Sequence, residues 1–314
     1  MKTLVLGAAI VDIIMKIPRL PKSGEDILCT ERKLTIGGCA YNVSNILRSF
    51  NVKHDLFVPV GCGIYADIIR RELNEDGYEI LINDLEMDNG YCLCLVEENG
   101  ERSFITVNGI EANHKKEWFH NLNMNQYENI YLAGYQLCGD KSDIVVDWLL
   151  NQSDKNIFFA PGPVINNISK NTLEKIFSIN PILHLNEKEA LEFTKKDNIN
   201  HSILKLYELT KNVVFITLGE RGVIFYNGKN ITHIEGEKVK VVDTIGAGDS
   251  HIGTIISAYS LWADKMNFNY SWSNYLNENN DFIKGCKLAN KIASEVVQVQ
   301  GSKISKECFN KFNI

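Results

Sequence analysis

Short apolar runs alternate along the chain with segments whose apolar positions recur every three or four residues. Residues 3–10 read as a strand and 40–50 as a helix. The strand at 56–60 precedes helical periodicity at 66–73, 130–133 precedes 144–149, and 182–185 precedes 187–193, with further strands at 157–160 and 213–218. Val213-Val214-Phe215-Ile216 is apolar on both faces, as suits a parallel strand covered by helices on each side. This order predicts an α/β fold built on a doubly wound, mostly parallel sheet.

Two stretches break the rhythm. Residues 26–36 and 91–107 alternate apolar and polar positions, and Glu98-Asn99-Gly100-Glu101 divides the second into an antiparallel hairpin with one solvated face. They predict a small antiparallel β lid, from about 13–36 and 88–110, projecting from the end of the α/β body where a site should lie. With no internal repeat or long linker, 1–314 is expected to be one composite domain, and the asparagine-rich stretch 274–280 a surface loop.

Composition narrows the function classes. Lys and Arg number 33 against 39 Asp and Glu, a net charge of −6, and 45% of residues are hydrophobic with 23% charged, which excludes disorder and collagen. No basic patch dominates, so a nucleic-acid partner is not expected. The longest apolar stretch, 252–262, is interrupted by Gly253, Thr254 and Ser257 and falls short of the roughly 18 residues of a membrane span. The amino-terminal apolar run meets Asp12 at once and has no cleavage box, which favours a buried strand over a signal peptide. Eight cysteines, at 29, 39, 62, 92, 94, 138, 286 and 308, form no CxxC pair and have no histidine at zinc spacing, so they read as free thiols of a reducing cytoplasm.

The chemistry concentrates in Val241-Val242-Asp243-Thr244-Ile245-Gly246-Ala247-Gly248-Asp249-Ser250, which leads into a long helical run. Small residues at 246–248 let backbone N–H groups converge at a helix amino terminus, where unpaired donors and the helix dipole attract an anion. A carboxylate at Asp249 would repel a bound phosphate unless it has a task such as accepting a proton; the alternative is that it only caps the helix. Gly37-Gly38-Cys39-Ala40-Tyr41-Asn42 is a second strand-to-helix turn, and Asn42 in its first helical turn can hydrogen-bond a polyol, although Gly-Gly there also serves as a plain tight turn.

These two turns, with Asp12 ending the first strand, Asn186-Glu187-Lys188-Glu189 and Thr217-Leu218-Gly219, resemble the two signatures and intervening motifs of the ribokinase (PfkB) family of carbohydrate and nucleoside kinases. The resemblance covers essentially the whole chain and implies a ribokinase-like fold in which ATP phosphorylates a hydroxyl, expected to be primary, of a small sugar. It implies Asp249 as general base and the N–H groups of Gly246, Ala247 and Gly248 as anion hole. It places Asp12, Gly38, Asn42, Asn89, Glu111 and Gln136 at the acceptor, and Asn186, Thr217, Gly219, Gly222 and Asn290 at ATP. Glu189 would act on Mg²⁺ through water, and Asp243 and Gly301 mark the region where some members hold a monovalent cation such as K⁺.

Several of these residues have plainer readings. Asp12 also suits a strand-end turn, Glu189 a first-turn acid on a solvated helix, Gly219 to Gly222 a hairpin turn, and Asn290 an exposed polar position. His251 is expected to be a packed, hydrogen-bonded residue rather than a catalytic one. A nucleoside acceptor remains the alternative substrate, with Tyr41, Tyr91 and Phe104 as candidates for a base slot, and a silent sugar-binding protein is the alternative of another class. A nicotinamide dehydrogenase is disfavoured because no GxGxxG follows the first strand. A homodimer formed through the lid is left open.

Overall fold

The apolar runs assemble into one sheet in a computed structural model that describes residues 1–266, 271–277, 279–304, 309 and 311. In chain order the elements are β1 (Thr3–Leu6), β2 (Ile10–Ile17), β3 (Glu31–Gly37), α1 (Cys39–Ser49), β4 (His54–Phe57), β5 (Pro59–Val60), α2 (Ile64–Glu75), β6 (Ile82–Asn83), β7 (Tyr91–Glu97), β8 (Arg102–Val107) and α3 (Glu117–His120). There follow β9 (Asn129–Ala133), α4 (Ser142–Leu150), β10 (Asn156–Ala160), α5 (Lys170–Ser178), β11 (Ile182–Asn186), α6 (Glu187–Thr194), α7 (Ile199–Thr210), β12 (Val214–Thr217), β13 (Val223–Tyr226), β14 (Ile231–Ile234), α8 (Ala247–Lys265), α9 (Trp272–Asn277) and α10 (Asn279–Val296).

The main sheet has the order β14-β13-β12-β11-β10-β9-β1-β4, parallel from β12 to β4, with β13 and β14 antiparallel at one edge. Successive side chains along a strand enter opposite cores, as the two-faced apolar runs require. Val5 and Phe215 pack with residues of α1, α2, α8 and α10, while Leu4, Leu6 and Val214 pack with residues of α4, α5, α6 and α7.

The second sheet runs β3-β2-β7-β8. Its outer pairs are antiparallel, but β2 and β7 run parallel, so the expected antiparallel lid is a mixed sheet. It also takes in more of the chain than expected: the first strand stops at Leu6, and Asp12 belongs to β2 of the lid sheet. A Cβ at Gly7, just past the end of the first strand, would lie 2.6 Å from that of Ala40, so α1 packs close against the chain there. Of the alternating stretch 26–36, only residues from 31 onward form a strand. The stretch 274–280 is not a loop: residues 274–277 continue α9 and 279–280 open α10, while 278 lies outside the described residues. Among the described residues no helix is long and apolar enough to cross a membrane, and the seven described cysteines are free thiols, with Cys308 outside them.

The contact that positions the site is α1 against α8. A Cβ built at Gly253 would stand 3.0 Å from Ile46 Cβ and 3.4 Å from the Val43 carbonyl, so a glycine allows the two helices to touch almost backbone to backbone. Replacing it with a β-branched residue forces them apart. Gly253→Val is expected to lower stability by about 1–3 kcal/mol, the usual range for overpacking, as read by denaturant unfolding; an unchanged midpoint would show that the helices do not depend on this approach.

Candidate active site

Helix α8 begins on Gly246, which takes a left-handed φ of 76°. A side chain there would meet Ser302 Cβ at 2.5 Å, so both conformation and space require glycine. Gly248 is different: its φ is not left-handed, and nothing lies within 4 Å of a Cβ built on it. Packing therefore does not explain this glycine, whereas a ligand approaching the helix start would. The Ala247 N–H donates to the Thr244 carbonyl at 3.3 Å, while those of Gly246 and Gly248 meet no backbone acceptor among the described residues. Open donors at a helix amino terminus make an anion cradle.

Asp249 stands in the first turn of this helix. Its Oδ2 accepts a hydrogen bond from Asn42 Nδ2 at 2.8 Å, and the Cys39 thiol also donates to it. Ser302 Oγ in turn donates to Asn42 Oδ1 at 2.6 Å, which fixes the amide's orientation. Burial pushes the Asp249 carboxyl up to about 6, with the Asn42 and Cys39 bonds pulling the other way. Burial is also the main cause that raises Asp12 to about 7, and the charges of Asp243 and Asp249 add to it. The Gly37-Gly38 pair has a separate reason at each position. A Cβ at Gly37 would lie 1.9 Å from Asp12 Oδ2, and Gly38, at φ 101°, would bring one to 2.4 Å from the Ala8 carbonyl.

Other acceptor-side expectations resolve into support for the backbone. Asn89 Oδ1 accepts from the Gly61 N–H at 2.8 Å and Nδ2 donates to the Pro59 carbonyl at 2.9 Å, so its amide braces the chain rather than facing the cleft. Glu111 likewise accepts the N–H groups of Gly90 at 2.9 Å and Gly109 at 2.8 Å, tying the two ends of the lid hairpin together. Gln136 is buried and its Oε1 has no hydrogen-bond partner among the described residues.

Asn186 and Glu189 form a reciprocal cap on α6. Asn186 Oδ1 accepts the Glu189 N–H at 2.9 Å, and Glu189 accepts the Asn186 N–H at 3.0 Å and its Nδ2 at 2.7 Å. Burial raises the Glu189 carboxyl, the Asn186 backbone opposes this, and the Asp249 charge adds to it, so the two carboxylates share one field. Among the described residues no three acidic, histidine or cysteine side chains gather into a metal cage. Glu189, on which the Asp249 charge acts, is a carboxylate of the kind that Mg²⁺ bound mainly by water and substrate phosphates takes from a protein.

Thr217 ends β12, its Oγ1 within 3.4 Å of the Leu185 carbonyl. Gly219 and Gly222 form the turn into β13, and a Cβ at Gly222 would fall 2.1 Å from the Ile234 carbonyl. Asn290 Nδ2 donates to the carbonyls of Ile234 at 3.1 Å and Glu235 at 3.0 Å, so it is a buried brace rather than an exposed polar residue. It lines a cavity of about 530 Å³ with His233, Gly236 and Lys287, and a neighbouring cavity of about 670 Å³ adjoins Leu218, Arg221 and the same 233–236 segment. His251 is buried, its Nδ1 lies 2.9 Å from His184 Nε2, and burial pushes it down to about 4, as expected of a packed neutral imidazole.

Asp243 and Gly301 do come together, and the Asp243 carboxylate is already engaged on both oxygens. Its Oδ1 accepts the Ile245 N–H at 2.9 Å, its Oδ2 accepts the Gly301 N–H at 3.0 Å, and the Arg102 guanidinium pairs with the same carboxylate. Arg102, Cys39 and Ser302 are the site residues that sequence reasoning did not assign. Cys39 sits inside the Gly-Gly turn and was readable as its neighbour; Arg102 and Ser302 carry no local signal, since their partners lie 141 and 260 residues away.

The chain has known relatives both in sequence and in fold. The pattern describing the pfkB family carbohydrate kinase matches residues 2–307. The uncharacterized sugar kinase YegV of Escherichia coli strain K12 is 32% identical over 258 residues, covering 81% of this chain and 80% of that protein. In fold, the chain is similar to ribokinase from Thermotoga maritima, with a TM-score of 0.80, 21% identity and coverage of 99% and 98%. It is also similar to the nucleoside kinase of Methanocaldococcus jannaschii, with a TM-score of 0.74, 20% identity and coverage of 99% and 98%. A family match running from residue 2 to 307, together with a relative 32% identical over 81% of the chain, places this protein in the pfkB family of carbohydrate kinases.

Proposed function

We propose that this kinase transfers the γ-phosphoryl group of ATP to a hydroxyl, the primary one, of a small sugar, with Asp249 as general base. The observation that carries the reading is the half-buried Asp249 carboxylate, held by Asn42 one residue beyond the open N–H of Gly248, where burial raises it to about 6. At neutral pH such a group is ionised yet basic enough to take a proton from an attacking hydroxyl. The Asn42 bond occupies Oδ2, and Oδ1 is the oxygen that would take the acceptor's proton. Phosphoryl transfer passes through a loose transition state, so alignment and charge neutralisation matter more than base strength. The Gly246 and Gly248 N–H groups would receive the charge on the transferred group. Bound Mg²⁺ supplies neutralisation of the phosphate oxygens, and Glu189, held by Asn186, would order its water shell. The cavities beside Asn290 and Leu218 are the proposed seat of the nucleotide.

A sugar acceptor is favoured over a nucleoside because the candidate base slot does not assemble. Tyr41 is fully buried with its hydroxyl donating to Asp76 at 2.6 Å, Tyr91 packs against Tyr65 with ring centroids 4.6 Å apart, and Phe104 is 55% exposed. A panel of sugars and nucleosides screened by thermal shift with an ATP analogue, followed by a coupled assay, tests this directly; stabilisation and turnover with nucleosides alone would overturn it.

Asp249→Asn should cut kcat by roughly 100-fold or more with ATP affinity held within a few-fold, and wild-type turnover should fall as pH drops through about 6. A flat profile down to the ordinary carboxylate range would remove the base assignment. Gly248→Ala should leave the melting temperature unchanged, because the position is open and its φ ordinary, while lowering kcat roughly tenfold or more. Asp12 makes an opposite prediction about stability. A raised carboxyl binds its proton more tightly in the folded state, so stability falls as pH rises from 3.8 towards about 7, and the full cost is present above that. Asp12→Asn should therefore stabilise the protein by about 1 kcal/mol or more at neutral pH while weakening acceptor binding; unchanged or lower stability would contradict the placement of its charge.

A further inference from the structure

Arg102 opens β8, opposite Val96 in the lid hairpin, yet its guanidinium leaves the lid and reaches the body of the protein. Nη1 pairs with the Asp243 carboxylate, and Nη2 lies 3.3 Å from the Val242 carbonyl. The Asp243 side chain is only 2% exposed and Arg102 only 21%. A carboxylate withdrawn so far from water is retained only with hydrogen bonds and an opposite charge close by. The hydrogen bonds come from Ile245, which directly precedes the phosphate turn, and Gly301, whose neighbour Ser302 lies against Gly246; the charge comes from the lid sheet. The need is sharpened by the neighbours, because Asp12 and Asp249 lie near enough for Asp243 and Asp249 both to act on the Asp12 carboxyl.

We propose that Arg102 is a positioning residue that makes lid closure and assembly of the phosphate turn a single event. The lid delivers the counter-charge that fixes Asp243, and Asp243 fixes the backbone at Ile245, next to Gly246 in the chain, and at Gly301, whose neighbour Ser302 packs against Gly246. The guanidinium thereby supplies at this carboxylate the positive charge that a monovalent cation would otherwise have to bring, and the turn does not depend on K⁺. The catalytic consequence rests on the proposed role of the 246–248 turn; the coupling itself does not.

Amide hydrogen exchange of the ligand-free full chain tests the coupling without any acceptor. Arg102→Ala should accelerate exchange roughly tenfold or more both in the lid strands and in residues 243–249, and Asp243→Asn should reciprocally loosen residues 102–107. Methylguanidinium should restore protection of 243–249 in Arg102→Ala and leave the wild type unaffected. Arg102→Gln, which keeps the stem without the charge, carries the same expectation should the alanine variant not fold. Wild-type protection of the turn should be equal in potassium and tetramethylammonium buffers. Acceleration confined to the lid, or wild-type protection that requires K⁺, would overturn the proposal. The kinase reading fails separately, if an ATP analogue with Mg²⁺ does not raise the wild-type melting temperature.

Discussion

A single hydrogen bond joins two turns 207 residues apart: Asn42 on α1 to Asp249 on α8. Everything else in the site is arranged so that this bond can form. Gly253 lets the two helices close to contact, Gly246 admits Ser302, and Ser302 orients the Asn42 amide. A charge-assisted bond of this kind contributes about 1.5–3 kcal/mol, which offsets part of the cost of holding Asp249 away from water. That remaining cost is what keeps its carboxyl basic. The bond therefore aims the carboxylate while leaving it basic.

The cleft is a place where the protein accepts instability for chemistry. Asp12, Asp243 and Asp249 share one electrostatic field, and burial and mutual repulsion hold Asp12 in particular far above the ordinary carboxylate range. Such groups would be selected against in an inert core. The glycines around them divide by purpose. Gly37 makes room for a side chain, Gly38 and Gly246 permit left-handed backbone, and Gly248 is required by neither, which leaves the space in front of it for a ligand. Nearby asparagines and acids that a sequence reading would send to the substrate instead brace this arrangement: Asn89 and Glu111 secure the lid's roots, and Asn290 the 234–235 segment beside the cavities.

Much of this was legible in the sequence because backbone demands leave local marks. Two-faced apolar runs announced the parallel sheet, period-two alternation announced the hairpin of the lid, and small residues before helices announced both turns. What was hidden depended on distant partners. The break after Leu6 that gives Asp12 to the lid sheet falls where α1 packs close at Gly7, and no pattern around residues 7–12 records it. The apolar stripes of α5, at Leu173, Ile176 and Phe177, and of α7, at Ile203 and Leu206, are too brief to stand out beside the strands. Asn89 and Glu111 read as sugar ligands, and Asn290 as a neighbour of the nucleotide, because an amide or carboxylate suits a ligand and a backbone N–H or carbonyl equally well. Arg102 gave no sign at all, since nothing near a hairpin arginine says that its partner is a buried carboxylate on the far side of the cleft.

The central claim, that Asp249 and the 246–248 turn face one shared reaction centre, is tested most directly by a crystal structure with an ATP analogue, Mg²⁺ and the sugar selected by screening. The account predicts the acceptor hydroxyl at about 3 Å from Asp249 Oδ1, with the γ-phosphate within hydrogen-bond reach of the Gly248 N–H. A terminal phosphate bound away from that helix start, with Asp249 bonded to Asn42 alone, would contradict it.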